Sequence, residues 1–326
     1  MREIEAVSFG EKPRRTFDDG ALRFIEEHLP TLKPASRTRY LISIEALTDC
    51  FEGKFIDEIT PALLSDFQTA RQKAGRRIHK DMLGKRRPKP LSPATIRRDL
   101  ACLSSMFTFW VEWEWATANP VPGFMRARKR RGLREGNPRT RWLRPEEEKA
   151  VLAYCLSKAA KTRSQRMKDY YTDLHDAIVL AIDTGLRSEE QFSLTRAQIR
   201  HNRVVLSEGT KNSKPREVPI LERSRAMLER RPIVLKSPYV FTNRRTGKRY
   251  ATMLKGLKSV LKACGIPEAD WHDLRRTCGC RLLQAYGKSI EEVSLWLGHS
   301  SIEVTQKSYA FLEVDHLERG LSVASL

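Results

Sequence analysis

The run Asn119-Pro120-Val121-Pro122-Gly123 constrains the fold of this chain more than any other feature. Each proline fixes its own φ, lacks an N–H and pushes the residue before it out of the helical region. A helix arriving here is expected to stop, and an extended segment to begin. The run also separates two kinds of sequence. Upstream, apolar residues recur at helical spacing; downstream, helical and strand-like stretches alternate. With 326 residues the chain is long enough for two domains, each with its own core.

The upstream part reads as four helices. Phe17–His28 carries Leu22, Phe24 and Ile25, and Ser36–Cys50 carries Tyr40, Leu41, Ile44, Leu47 and Thr48. Thr60-Pro61 has the form of an N-cap followed by proline at the first helical position, and opens a helix over Ala62–Gly75. Ser92-Pro93 repeats that signature and opens a longer helix reaching about Trp115. In it Ile96, Leu100, Leu103, Met106, Phe107, Trp110 and Val111 form one apolar stripe, read as core. The expectation is a four-helix bundle over 17–120. An extension over 1–16, too short for a further domain, precedes it, and a basic interdomain linker over 121–142 follows.

The remaining part, 143–326, reads as a mixed, mainly helical domain with a small antiparallel sheet. Arg144-Pro145-Glu146-Glu147-Glu148 opens a helix with acids in its first turn, where they suit the helix dipole. Leu174–Asp183 is an apolar helix running into Thr184-Gly185. Arg203–Leu206 and Glu217–Ile220 are strand-like and flank a basic turn, and Tyr239–Thr242 is expected as a third strand. Further helices are expected over Thr252–Cys264, Leu274–Ala285, Ile290–Leu297 and Ile302–Phe311. In the tail, 312–326, Val314, Leu317 and Leu321 place a narrow apolar stripe on a short helix.

Charge narrows the partners. Lys and Arg number 60 against 40 Asp and Glu, a net charge of +20. Such a surplus costs self-repulsion unless a polyanion offsets it. Nucleic acid is the leading candidate and an anionic membrane surface the second. Two tracts concentrate the charge: one includes Arg71, Lys73, Arg76, Arg77, Arg86 and Arg87, the other Arg126, Arg128, Lys129, Arg130 and Arg131. Both are read as phosphate-contacting, with a solvated surface loop as the alternative. The longest apolar stretch, Ala177–Ile182, is far short of a membrane span, and the N-terminus has no signal-peptide core. Six cysteines are scattered without a CxxC pair, which suits reduced thiols in a cytoplasmic protein. Cys278-x-Cys280 near His272 lacks a fourth ligand at suitable spacing, so no metal is expected.

Four segments carry chemistry: Thr184-Gly185-Leu186-Arg187-Ser188-Glu189-Glu190; Thr210 to Pro219, with Lys211; His272-Asp273-Leu274-Arg275; and Leu297-Gly298-His299, continued to Tyr309. Each is weak alone. Together they supply what breaking a phosphodiester without a metal requires: cations for the non-bridging oxygens, a nucleophile and an acid for the leaving oxygen. No DxD, HExxH or P-loop pattern supports metal- or ATP-driven chemistry.

The order of these segments resembles that of the tyrosine recombinases, or phage integrases, over about Thr140 to Phe311. The first half resembles the family's core-binding domain by layout only. The resemblance implies a site-specific recombinase acting on duplex DNA through a 3′-phosphotyrosine intermediate, with no cofactor, as a tetramer on DNA. It implies Tyr309 as nucleophile, Arg187 and Arg275 as a clamp on the non-bridging oxygens, and Lys211 as the acid for the 5′-oxygen. His272 would assist proton transfer, His299 would bond the phosphate, and Glu190 would orient an arginine. His299 and Tyr309 are ten residues apart where nine is common, so the turn between them is expected to differ. Two alternatives stay open: a nicking-closing enzyme of the type IB topoisomerase kind, and a non-catalytic DNA-binding or architectural protein.

Overall fold

The computed structural model describes residues 13–74, 91–128, 133, 139–207, 215–235 and 237–312. The chain divides into two compact units, Met1–Asn137 and Pro138–Leu326.

The described part of the first unit holds five α-helices rather than four: α1 (Phe17–Glu27), α2 (Pro34–Phe51), α3 (Pro61–Ala74), α4 (Pro93–Glu112) and α5 (Val121–Arg128). The caps that the sequence announces are present. Ser92 accepts the Thr95 N–H at 3.3 Å and Thr60 accepts the Leu63 N–H at 3.4 Å, each ahead of a proline that needs no partner for a missing N–H. The stripe on α4 is core, with Ile96, Leu100, Leu103, Met106, Phe107 and Trp110 buried. Trp110 meets Phe17 edge-on at 6.0 Å. Three expected core residues, Leu22, Leu41 and Val111, are exposed instead, each one position off the face its helix buries.

The fifth helix corrects the expected extended linker. Pro120 does not open an extended run. The Asn119 side chain accepts the Val121 N–H at 3.1 Å and donates to the Ser104 carbonyl at 2.9 Å, which caps a new helix against α4. Pro120 and Pro122 fall where a first turn has no intrahelical donor to lose. Val121 and Phe124 are then buried in the first unit's core.

The second unit is built on α7 (Gln165–Thr184), longer than the apolar stretch that announced it. Helix α6 (Pro145–Lys161) and α11 (Trp271–Gln284) pack on it. The helix α8 (Ser188–Phe192) follows it, then the sheet, α9 (Glu222–Arg230) and α10 (Leu254–Ala263), with α12 (Ile290–Leu297) and α13 (Ile302–Tyr309) closing the described chain. Leu174, Ala177, Ile178, Phe192, Val204, Val218 and Leu274 share one core.

The sheet is antiparallel, in the order β1 (Ile199–Arg200), β2 (Arg203–Leu206), β3 (Arg216–Pro219). Its third strand is β1 and not Tyr239–Thr242, which makes only isolated bridges, Thr195 to Tyr239 and Thr242 to Arg249. His201 and Asn202 both have positive φ, 47° and 59°, the signature of a two-residue turn that pairs β1 with β2 directly. Between β2 and β3, Val204 faces Val218 and Leu206 faces Arg216.

Candidate active site

Helix α7 ends on Gly185, whose φ of 64° only glycine adopts cheaply, and where a Cβ would fall 2.5 Å from Leu297 Cδ2. The reversal delivers Arg187 to the N-cap of α8. Glu190, three residues on, accepts the Arg187 N–H at 2.8 Å and the Arg187 Nη1 at 2.8 Å. Arg187 Nη2 donates to the Gly298 carbonyl at 3.0 Å.

Helix α11 is started by Asp270, which accepts the His272 and Asp273 N–H groups at 2.8 and 3.1 Å. That cap sets His272 in the first turn and Arg275 one turn later, on one face. Arg275 is 3% exposed, with Nη1 donating to the Gly185 carbonyl at 2.7 Å and Nη2 to the Leu297 carbonyl at 2.6 Å. Two guanidiniums are therefore anchored on consecutive carbonyls of one turn, Leu297 and Gly298, and the next residue is His299.

Gly298 caps α12 with a φ of 65°. His299 Nδ1 shares a hydrogen bond of 2.7 Å with Thr305 Oγ1 on α13, the helix that ends with Tyr309. Tyr309 is 4% exposed and packs with Cys278, Cys280, Val293, Leu297 and Leu312.

The electrostatics follow from this crowding. Burial and the Arg187 and Arg216 charges lower Arg275 to about 10, so it stays cationic at neutrality. Burial followed by Arg275 and Arg187 lowers His299 to about 4. His272 keeps an exposed face, yet desolvation by its neighbours and then Arg276 and Arg275 hold it below the usual imidazole range. Both rings are neutral at pH 7. Burial alone would raise Glu190, but the bonds from Arg216 and then Arg187 bring it down to about 2. Burial raises the Tyr309 phenol, with Arg275 and Arg276 opposing.

The structure brings together Arg187, Glu190, His272, Arg275, His299 and Tyr309. Lys211 lies outside the described residues, as do Arg76, Arg77, Arg86, Arg87, Lys129, Arg130 and Arg131, and all but Leu312 of the expected tail. In the first unit, Lys73 and Arg126 are exposed. Arg71 instead donates to buried Asp99 at 3.0 Å, beside Arg39 at 3.0 Å and Ser43 at 2.9 Å. Arg128 donates to Ser65 at 2.9 Å. No described group of three or more His, Cys, Asp and Glu is arranged to hold a metal ion. No helix among the described residues is long and apolar enough to cross a membrane. The six cysteines are unpaired thiols.

Two residues in the site were missed at the sequence level. Arg216 donates to Glu190 through both terminal nitrogens, at 3.1 and 2.7 Å. Its signal is strand alternation: it shares the inner face of β3 with Val218, and an arginine there asks for a buried acid. Gly279 lies under the Tyr309 ring, two helical turns along α11 from His272.

Residues 141–316 match the sequence profile of the phage integrase family. The integrase of Escherichia phage P2 is 29% identical over 284 residues, covering 87% of this chain and 70% of that protein. The tyrosine recombinase XerC of Rickettsia prowazekii is 30% identical over 150 residues, 43% of this chain and 48% of that one. Among solved structures, the Tn1549 transposon integrase in complex with transposon right-end DNA superposes with a TM-score of 0.67 at 18% identity, covering 94% of this chain and 98% of that one. A lambda integrase tetramer bound to a Holliday junction gives 0.65 at 16%, covering 91% and 78%. At those identities the likeness speaks for the fold.

Proposed function

The chain belongs to the phage integrase family and is a tyrosine-type site-specific DNA recombinase, and we propose from that premise that Tyr309 is its nucleophile. The Tyr309 oxygen attacks the scissile phosphorus, the bond to the 5′-oxygen breaks, and a 3′-phosphotyrosine remains. The Tyr309 proton leaves with the help of neutral His272, and Lys211 protonates the departing 5′-oxygen. The new ester keeps the energy of the broken bond, so a 5′-hydroxyl reverses the step on the same or another strand without a cofactor.

Arg187 and Arg275 hold the non-bridging oxygens. Planar guanidiniums suit this task because they present several donors in one fixed fork. His299, with Nδ1 engaged by Thr305, turns its other ring nitrogen to the phosphate. Glu190 orients Arg187. The observation that carries the reading is the anchoring of both guanidiniums on the Leu297–Gly298 turn, next to His299, in the same cluster as Tyr309.

The wider reading follows the relatives. Four protomers assemble on duplex DNA and exchange strands through a Holliday junction, in the cytoplasm, in the service of a mobile element. The exposed basic residues of the first unit, Lys73 and Arg126, lie along the phosphate backbone.

The test is a nicked suicide duplex that traps the covalent adduct. The unsubstituted protein forms an adduct, and Tyr309→Phe binds the duplex but forms none. An adduct with Tyr309→Phe excludes this nucleophile. Adduct formation and DNA relaxation without strand exchange would instead identify a nicking-closing enzyme.

A further inference from the structure

Glu190 receives four donors. Arg187 supplies its N–H and Nη1, each at 2.8 Å, and Arg216 supplies Nη1 at 3.1 Å and Nη2 at 2.7 Å. Arg187 then reaches the Gly298 carbonyl at 3.0 Å. The ring closes at Gly298, because Arg216 lies on it: a Cβ there would fall 2.6 Å from Arg216 Cδ. Three separate segments, α8, β3 and the turn after α12, thus meet in one cycle of contacts.

The exposures within this cycle differ. The Arg216 side chain is 6% exposed and Glu190 3%, whereas Arg187 is 34% exposed. Arg187 is the member open to a ligand. Arg216 spends both terminal nitrogens on Glu190, and its Nε is buried without a partner. Unlike Arg275, whose terminal nitrogens bond neutral carbonyls, Arg216 has its charge matched by the carboxylate it grips, so it is not the guanidinium left to meet a substrate phosphate. It completes the carboxylate's coordination, so that the carboxylate has one orientation in which to hold Arg187.

We infer that Arg216 is a positioning residue for the recombination reaction: acting through Glu190, it fixes the direction in which Arg187 meets the scissile phosphate. The inference rests on the assignment of Arg187 to the phosphate clamp. Losing Arg216 leaves Glu190 with one partner and a buried charge half-compensated. The carboxylate then tilts toward whichever donors remain, and Arg187 tilts with it.

The test compares two suicide duplexes, one with a natural scissile phosphate and one with a methylphosphonate there. The methylphosphonate carries no charge, so its cleavage asks less of the guanidinium clamp. The variants are Arg187→Ala, Arg216→Met and Arg216→Lys, each checked by thermal melting and by affinity for an intact duplex. On the natural phosphate, Arg216→Met is expected to slow adduct formation on the order of 10²-fold, the scale of a roughly 1 Å misplacement. On the methylphosphonate that deficit shrinks, in parallel with Arg187→Ala. Arg216→Lys, which keeps one charged bond to Glu190, recovers part of the rate, and it carries the comparison if Arg216→Met does not fold. Equal losses on both substrates, or no loss on either, overturn the inference while Arg187→Ala still shows the charge-dependent defect. If Arg187→Ala itself cleaves the natural phosphate normally, the clamp assignment falls, and the inference falls with it.

Discussion

Gly279 of α11 and Tyr309 of α13 are in direct contact: a Cβ built on Gly279 would lie 2.0 Å from the Tyr309 hydroxyl oxygen and 2.2 Å from Cζ. No rotamer of alanine avoids that overlap, since Cβ has no freedom. Tyr309, the proposed nucleophile, is thus seated on a bare stretch of the helix that carries His272 and Arg275.

Gly279→Ala is expected to displace the Tyr309 ring. Adduct formation on a suicide duplex should fall on the order of 10²-fold, while duplex affinity stays within about threefold, a change of about 0.7 kcal/mol. Overpacking of this kind also costs about 1–3 kcal/mol in stability, which a melting curve reports. Wild-type cleavage by Gly279→Ala would mean that Tyr309 does not react from this seat.

The bond between His299 and Thr305 ties the ring proposed to meet the phosphate to the helix of Tyr309, since Thr305 precedes Tyr309 by one turn. Thr305→Val keeps the shape and removes the bond. The loss of about 1 kcal/mol corresponds to roughly a fivefold slower cleavage. Thr305→Ser restores the hydroxyl and should restore the rate. Equal rates for the valine and serine variants would show that packing alone matters there.

Much of this site is legible without coordinates, because short-range devices build it. Gly185 and Gly298 turn the chain beside Arg187 and His299, devices local in sequence. The Asp270 cap is as local, yet the helix expected over Leu274–Ala285 begins at Trp271, so the expectation leaves out the first turn that presents His272. What escapes is pairing across distance. The sequence alone does not connect Arg216 with Glu190, 26 residues earlier, or Arg71 with Asp99, 28 residues later. Tyr239–Thr242 has the composition of a strand, yet the positive-φ pair His201–Asn202 gives that place to Ile199–Arg200. Pro120 reads as a breaker until the Asn119 side chain is seen capping the turn it begins.

His272 and His299 are expected to be neutral in the free protein at pH 7. His299 should titrate near 4 and His272 below the usual imidazole value. The unfolded chain takes up these protons near 6.5, so the contribution of His299 to stability falls as pH drops from there toward 4. NMR titration of labelled imidazoles reads this directly. A midpoint at or above 6.5 for His299 in the free protein would contradict the buried, arginine-crowded environment. Adding an uncleavable duplex should move both midpoints upward, because the phosphate brings negative charge.

Glu190 carries the opposite sign. Its carboxyl is held down at about 2, so its ionised form stabilises the fold fully above the unfolded value near 4.3. That contribution is lost as pH falls from there toward 2. The stability gap between the natural protein and Glu190→Gln should be widest near neutrality and close across that acid window in denaturant titrations. A gap independent of pH would mean that Glu190 is not the charged centre of the cycle with Arg187 and Arg216.

Arg71 and Arg126, one from each basic tract and both expected to contact phosphate, part company in the first unit. Arg71 is committed to buried Asp99, with Arg39 and Ser43 as the other donors, whereas Arg126 is exposed on α5. Arg71→Ala leaves a buried carboxylate short of one charged bond, so its expected cost is about 1–3 kcal/mol of stability, seen as a lower melting temperature. Arg126→Ala should leave the melt unchanged and weaken binding to all duplexes alike. If Arg126 neutralises one phosphate, the slope of log affinity against log salt falls in magnitude by about 0.9. The two measurements cross-check each other. A salt slope reduced by Arg71→Ala with no change in melting would return Arg71 to the DNA face and break the assignment of Asp99 as its partner.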